Sequence, residues 1–308
     1  FVAYNEQIDS LTLPTLSNDE LCKKFEKLHE LLIEVSKWSY AVDAFLSDGE
    51  ADWLETIIKS ELGPKATSEV IATLTFPTIP SFVNEAELVF LKLVKSLRDN
   101  NAELAQKLSQ EYIRNYYWIR SNYKEYKRLT KAEIVAEANS WISKNSNTRI
   151  DDVIRHHELS VDEARAHKAK LCEDLHVSAD LRSVLRISEV FTHLQDRRKE
   201  RVLRMNVLFY EFVAETQKRF AIPDPLGFYM TADEVLGFYK AKLTDVSILQ
   251  KRFDEGFLTL FYGDTAEIIP ASEYKAEGID KNFFADHSAH VEVKGTTAYK
   301  GKVTGIAR

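Results

Sequence analysis

From about residue 179 to residue 220 the chain carries neither proline nor glycine. Over that stretch Leu181, Val184, Leu185, Phe191, Leu194, Val202, Met205, Leu208, Phe209 and Phe212 recur at helical spacings. A run this long with that period forms one extended helix, which Pro223 and Pro225 end. A helix of roughly 40 residues spans about 60 Å at ~1.5 Å per residue. The rest of the fold must be arranged along it.

Helical periodicity dominates the first 254 residues. Ser17-Asn18-Asp19-Glu20 reads as a capping box, followed by Leu21, Phe25, Leu28, Leu32, Val35, Trp38, Val42 and Phe45 on one face, up to Asp48-Gly49. Helices are expected near 50–61, 66–74, 84–98 and 101–118. Thr130-Lys131-Ala132-Glu133 opens another, to about 144, and Lys144 to Thr148 reads as loop. Residues 160–173 are helical and charged, Thr231-Ala232-Asp233-Glu234 caps a further helix, and 244–254 forms one more. Only 10 glycines and 7 prolines occur in 308 residues, which fits long helices with few turns. Trp38, Phe90, Leu194, Met205 and Phe212 are expected in cores.

The pattern changes after Gly256. Residues 257–262 and 266–269 read as two short strands about Gly263-Asp264. The stretch 289–295 alternates as a strand does, and Val303 to Arg308 starts another. The predicted class is mostly α, an antiparallel multi-helix assembly with a small antiparallel β element at its C-terminal end. Phe76-Pro77-Thr78-Ile79-Pro80 is the clearest break in the first half. The expected divisions are 1–80, an N-terminal helical lobe; 81–254, a central helical domain; and 255–308, a small β element.

Several function classes are disfavoured. With 41 Lys+Arg against 48 Asp+Glu the net charge is −7, which argues against a general nucleic-acid binder. No apolar run approaches the ~18 residues of a membrane span, and no signal peptide is visible. Cys22 and Cys172 read as reduced thiols in a cytoplasmic protein. Among eight histidines there is no H-E-x-x-H, and no C-x-x-C occurs, so no metal site is expected. No glycine-rich phosphate loop and no matched catalytic motif is present. The chain opens at Phe1 and stops at Arg308 inside a strand-like pattern, so both ends read as cut from something longer.

Two clusters could carry chemistry. Asp196-Arg197-Arg198-Lys199-Glu200-Arg201 interrupts the long helix, and Leu194, Arg198, Arg201 and Met205 step by four, three and four. Arg198 and Arg201 thus fall where apolar residues are expected. An inward arginine needs a carboxylate or phosphate partner. An anion site and an internal ion pair, with Asp196 or a neighbouring helix, are both open. Tyr112, Tyr116, Tyr117, Trp118, Tyr123 and Tyr126 interleave with Arg114, Arg120 and Lys124. Such rings can stack on a ligand or close off a helix end.

Residues 294–308, Lys-Gly-Thr-Thr-Ala-Tyr-Lys-Gly-Lys-Val-Thr-Gly-Ile-Ala-Arg, fill every fixed position of K/R-G-x-x-A-x-x-G-x-V-x-G-x-x-R. This run resembles the opening of the swivelling phosphohistidine domain in phosphoenolpyruvate-utilising enzymes, the family of phosphoenolpyruvate synthase, pyruvate phosphate dikinase and rifampin phosphotransferase. Tyr117-Trp118-Ile119-Arg120-Ser121-Asn122-Tyr123 with Leu129-Thr130, the Arg198-Lys199-Glu200 run, Thr231-Ala232-Asp233-Glu234-Val235, Lys251-Arg252 and the 257–269 hairpin are similar to the helical region before that domain. The resemblance covers roughly 110–308.

It implies a relay. An ATP-grasp domain using ATP and Mg phosphorylates a histidine, and the mobile domain carries the phosphoryl group to a small-molecule acceptor. The chain stops before a T-x-G-G-x-x-S-H motif and shows no ATP-grasp domain. Those domains are expected on the same polypeptide or on a partner chain, with room for a homo-oligomer and no nucleic-acid or membrane partner. The acceptor side would draw on Arg198, Arg201, Asp196, Tyr117, Trp118, Asn122 and Tyr123, with no catalytic residue and no cofactor held by this chain. A non-catalytic helical scaffold that positions the mobile domain is the alternative.

Overall fold

The structure, a computed structural model, describes residues 10–46, 53–122, 125–242, 245–262 and 265–276. The side chains of 38–46, Trp38 among them, lie outside that description, as do the strands expected at 289–295 and 303–308. Among the described residues the fold is mostly α, with eleven α-helices and one two-stranded antiparallel sheet. The helices are α1 (Asn18–Leu46), α2 (Trp53–Leu62), α3 (Ser68–Thr75), α4 (Phe82–Arg98), α5 (Ala102–Tyr116), α6 (Lys131–Lys144), α7 (Ile150–Asp174), α8 (Ala179–Phe220), α9 (Ala232–Tyr239), α10 (Val246–Glu255) and α11 (Ala271–Ala276). Strands β1 (Phe257–Tyr262) and β2 (Thr265–Pro270) lie between the last two.

Local chemistry sets the ends. The Ser178 hydroxyl accepts from the Leu181 N–H and caps α8, and Ala221, left-handed at φ 52°, closes it ahead of Pro223. The expected capping boxes form at Thr130–Glu133 and Thr231–Glu234, and Ser17 and Glu20 exchange the same bonds before α1. A further box, Ser81–Asn84, starts α4 directly after the proline break. Helix α7 starts at Ile150, well ahead of the expected residue 160.

The chain divides into two compact units, residues 1–244 and 245–308. The proline break at 76–80 falls inside the first unit, and the second division comes ahead of α10 rather than after it.

In the first unit α8 serves three cores. Its N-terminal third places Leu181 and Leu185 against Leu54, Ile58 and Leu62 of α2, Leu74 of α3 and Cys172 of α7. Its C-terminal half places Met205, Leu208 and Phe212 against Leu21, Phe25 and Leu28 of α1 and Val235 and Leu236 of α9. Val207, on another face, joins the core of α4, α5, α6 and α7 around Trp118. Met205 and Phe212 are buried as expected, and Phe90 packs against the Trp118 core. Leu194 departs from expectation: it is 44% exposed. The end of α8 is fastened to the start of the unit by Arg219, which donates to Leu13 O at 3.0 Å and Asn18 Oδ1 at 2.9 Å.

In the second unit the hairpin pairs Phe257 with Pro270 and Tyr262 with Thr265. Gly256, at φ 81°, turns the chain from α10 into β1 and donates its N–H to Arg252 O. An L-side chain there would be strained.

Candidate functional site

The charged centre of α8 lies beside Trp118. Asp196 Oδ2 accepts the Phe82 N–H at 2.9 Å, taking one of the free donors at the start of α4. Arg197 donates to Glu200 at 2.8 Å and also to Glu85 of α4. Glu200 reaches Arg204 at 2.8 Å through its other oxygen. Arg204 also donates to Asn115 O at 2.7 Å, and its guanidinium lies 5.4 Å from the centre of the Trp118 ring. Glu200 and Arg204 are both buried. Two guanidiniums therefore meet two carboxylates, and the network of Arg197, Glu85, Glu200 and Arg204 carries no net formal charge.

The electrostatics follow from that pairing. The hydrogen bonds that Arg197 donates to Glu85 and Glu200 push its pKa further up. Burial, with Glu85 and Glu200 nearby, lifts the Tyr116 phenol to about 12, so it stays neutral. Arg204 Nε and His193 Nδ1 are buried without a hydrogen-bond partner. The Arg204 face against Trp118 accounts for the first through cation–π attraction.

The cations that meet these carboxylates are Arg197 and the buried Arg204. Arg198 is half-buried and Arg201 is exposed. The physical reason is that α8 buries two faces. Met205, Leu208 and Phe212 follow the face toward α1, whereas Arg197, Arg204 and Val207 turn toward α4 and α5. The spacings Arg197–Glu200 and Glu200–Arg204, three and four apart, were the available signal.

The aromatic segment closes on itself. Trp118 is fully buried, donates Nε1–H to Asn115 O at 2.9 Å and meets the Phe82 ring at 5.1 Å. Tyr117 is buried under the Arg128 guanidinium, 4.0 Å from its ring centre, and Arg128 is held by both oxygens of Glu211. Asn122 is exposed and accepts the Glu125 N–H at 2.8 Å. Tyr123 lies outside the described residues. Asp196 and Trp118 are brought together through Phe82, but Trp118 presents no open face to a ligand.

A second cluster went unnoticed in the sequence. Glu189 of α8 accepts both the N–H and the hydroxyl of Thr78 in the proline break. Arg165 and Lys168 of α7 donate to Thr78 O and Phe76 O at 3.0 and 3.3 Å. Burial lowers the Lys168 pKa, with Glu189 at 3.8 Å opposing the shift. Among the described residues no three His, Cys, Asp or Glu side chains converge as a metal ion would need. No described helix is long and apolar enough to cross a membrane. No family model, curated protein or solved structure matches the chain.

Proposed function

We propose that the chain is the helical region ahead of the swivelling phosphohistidine domain in a phosphoenolpyruvate synthase-like phosphotransferase. The observation that carries this is the run 294–308, where all fixed positions of that domain's opening pattern are filled. The change from helices to a β-hairpin at Phe257 supports it. ATP and Mg would act on an ATP-grasp domain, and the phosphohistidine on the mobile domain, in the same polypeptide or a partner chain. The helical unit would stand on the side of the small-molecule acceptor. Phosphoryl transfer depends on positioning and charge neutralisation, and a rigid body that fixes the end of a swing serves the first. Two buried, free cysteines agree with a cytoplasmic location.

A second reading, a non-catalytic scaffold that positions the mobile domain, is favoured by one observation. The half-buried Arg197 and the buried Arg204 of α8 are already neutralised by Glu85 and Glu200. Intact mass spectrometry of the natural full-length protein, after ATP or phosphoenolpyruvate, separates the readings. One acid-labile phosphate establishes the relay. No gain with either donor leaves the scaffold.

A further inference from the structure

Two helices run from one core of the first unit to another through stretches that bury no residue. Helix α7 gives Ile150 and Ile154 to the core around Trp118 and Cys172 to the core of α2 and α3, and between 159 and 170 none of its residues is buried. Helix α8 gives Leu181 and Leu185 to the α2–α3 core, and the next buried residue along it is Glu200. The apolar side chains in these stretches stay open: Leu159, Ile187, Val190 and Leu194 are 45%, 46%, 41% and 44% exposed. Among the described residues α7 and α8 pack only weakly on each other. The proline break bridges them instead, held by Arg165 and Lys168 from α7 and by Glu189 from α8. A helical stretch without buried side chains rests on its own backbone bonds, and regions poor in apolar contacts move at least cost. Residues 47–52, which join α1 to α2, are not all described.

We propose that these stretches are a hinge: the lobe of α2, α3 and the α7–α8 turn swings as one body about it, and Thr78 on Glu189 is the latch. Closed, Glu189 accepts the Thr78 N–H and hydroxyl. Opening breaks both bonds, and the carboxylate turns to Lys168, which already stands 3.8 Å away. The Phe76–Pro80 segment carries no charge, so its departure strands none, and the cation and anion that held it pair directly. The lobe keeps its own core, in which Leu54 and Ile58 meet Leu181, through the motion. The open state is the minor one, roughly 0.1–10% populated. The proposal is independent of the phosphotransfer reading.

Double electron–electron resonance on the full chain is the test. Cys22 and Cys172 are buried, so spin labels go to Lys65→Cys, behind α2, and Lys107→Cys of α5, both exposed positions. One distance should dominate, and Glu189→Ala should raise a second population by about fivefold or more. Glu189→Gln keeps an acceptor for Thr78 and should return the distribution toward that of the wild type. Hydrogen exchange on the same variants should quicken over 76–82 while 54–62 and 181–185 stay as slow as in the wild type. A single distance unchanged by Glu189→Ala overturns the proposal. So does exchange that quickens over 54–62 together with 76–82, because the lobe then unfolds instead of swinging.

Discussion

Glu200 and Arg204 form a buried ion pair at 2.8 Å, and Arg197 holds the second oxygen of the same carboxylate at 2.8 Å. Removing the acid leaves the buried Arg204 with the Asn115 carbonyl in place of a carboxylate, and the half-buried Arg197 with Glu85. Glu200→Ala should therefore cost about 3–5 kcal/mol, read from the urea midpoint. Glu200→Leu combined with Arg204→Met should cost less than Glu200→Ala alone, because no charge is stranded.

The turn after α8 requires its glycine. A Cβ at Gly227 would lie 2.3 Å from Cγ of the buried Gln217 side chain. Gly227→Ala should lower stability by about 1–3 kcal/mol. Gln217→Ala in the same chain should recover part of that loss, and thermal melts of the three variants would show it.

Glu189 fastens the proline break to α8 by accepting both the Thr78 N–H and its hydroxyl. Thr78 is buried, so Glu189→Ala leaves two donors unsatisfied, at about 1–3 kcal/mol each. Limited proteolysis should show faster cleavage in 76–80. Unchanged cleavage would mean that Arg165 and Lys168 hold the segment alone.

Acid should weaken the start of α6. The hydrogen bond from Lys127, then those from Thr130, hold the Glu133 carboxyl at about 2 instead of 4.5. A carboxyl depressed in the folded state stabilises the protein above its unfolded value, and this support is lost as pH falls from about 4.5 through about 2. Glu133→Gln should have a lower melting temperature than wild type at pH 7, and the gap should narrow on acidification toward pH 3.

The elements legible in the sequence were those with strong local signals. Thr130-x-x-Glu133 and Thr231-x-x-Glu234 mark helix starts by themselves, and α8 follows from period and length alone. Gly256 and the 257–269 pattern disclose the hairpin. The start of α7 was hidden because Arg155, His156, His157 and Glu158 blur the apolar period there. The orientation of the α8 arginines was hidden for another reason. A single stripe presumes one buried face, and only tertiary partners, Glu85 and Asn115 in this case, show that a second face is occupied. Glu189 and Thr78 stand 111 positions apart, and no local pattern predicts such a pair.

The clamp of Arg219 on Leu13 joins positions 206 residues apart. On the ribosome α1 emerges long before the half of α8 that buries Leu21, Phe25 and Leu28. At ~5–20 residues per second the wait is roughly 10–40 s. Throughout that interval a newly made amphipathic helix keeps its apolar face in water, within reach of chaperones. Its shelter is among the last parts of the helical unit to be synthesised, so this unit closes only when its own ends meet.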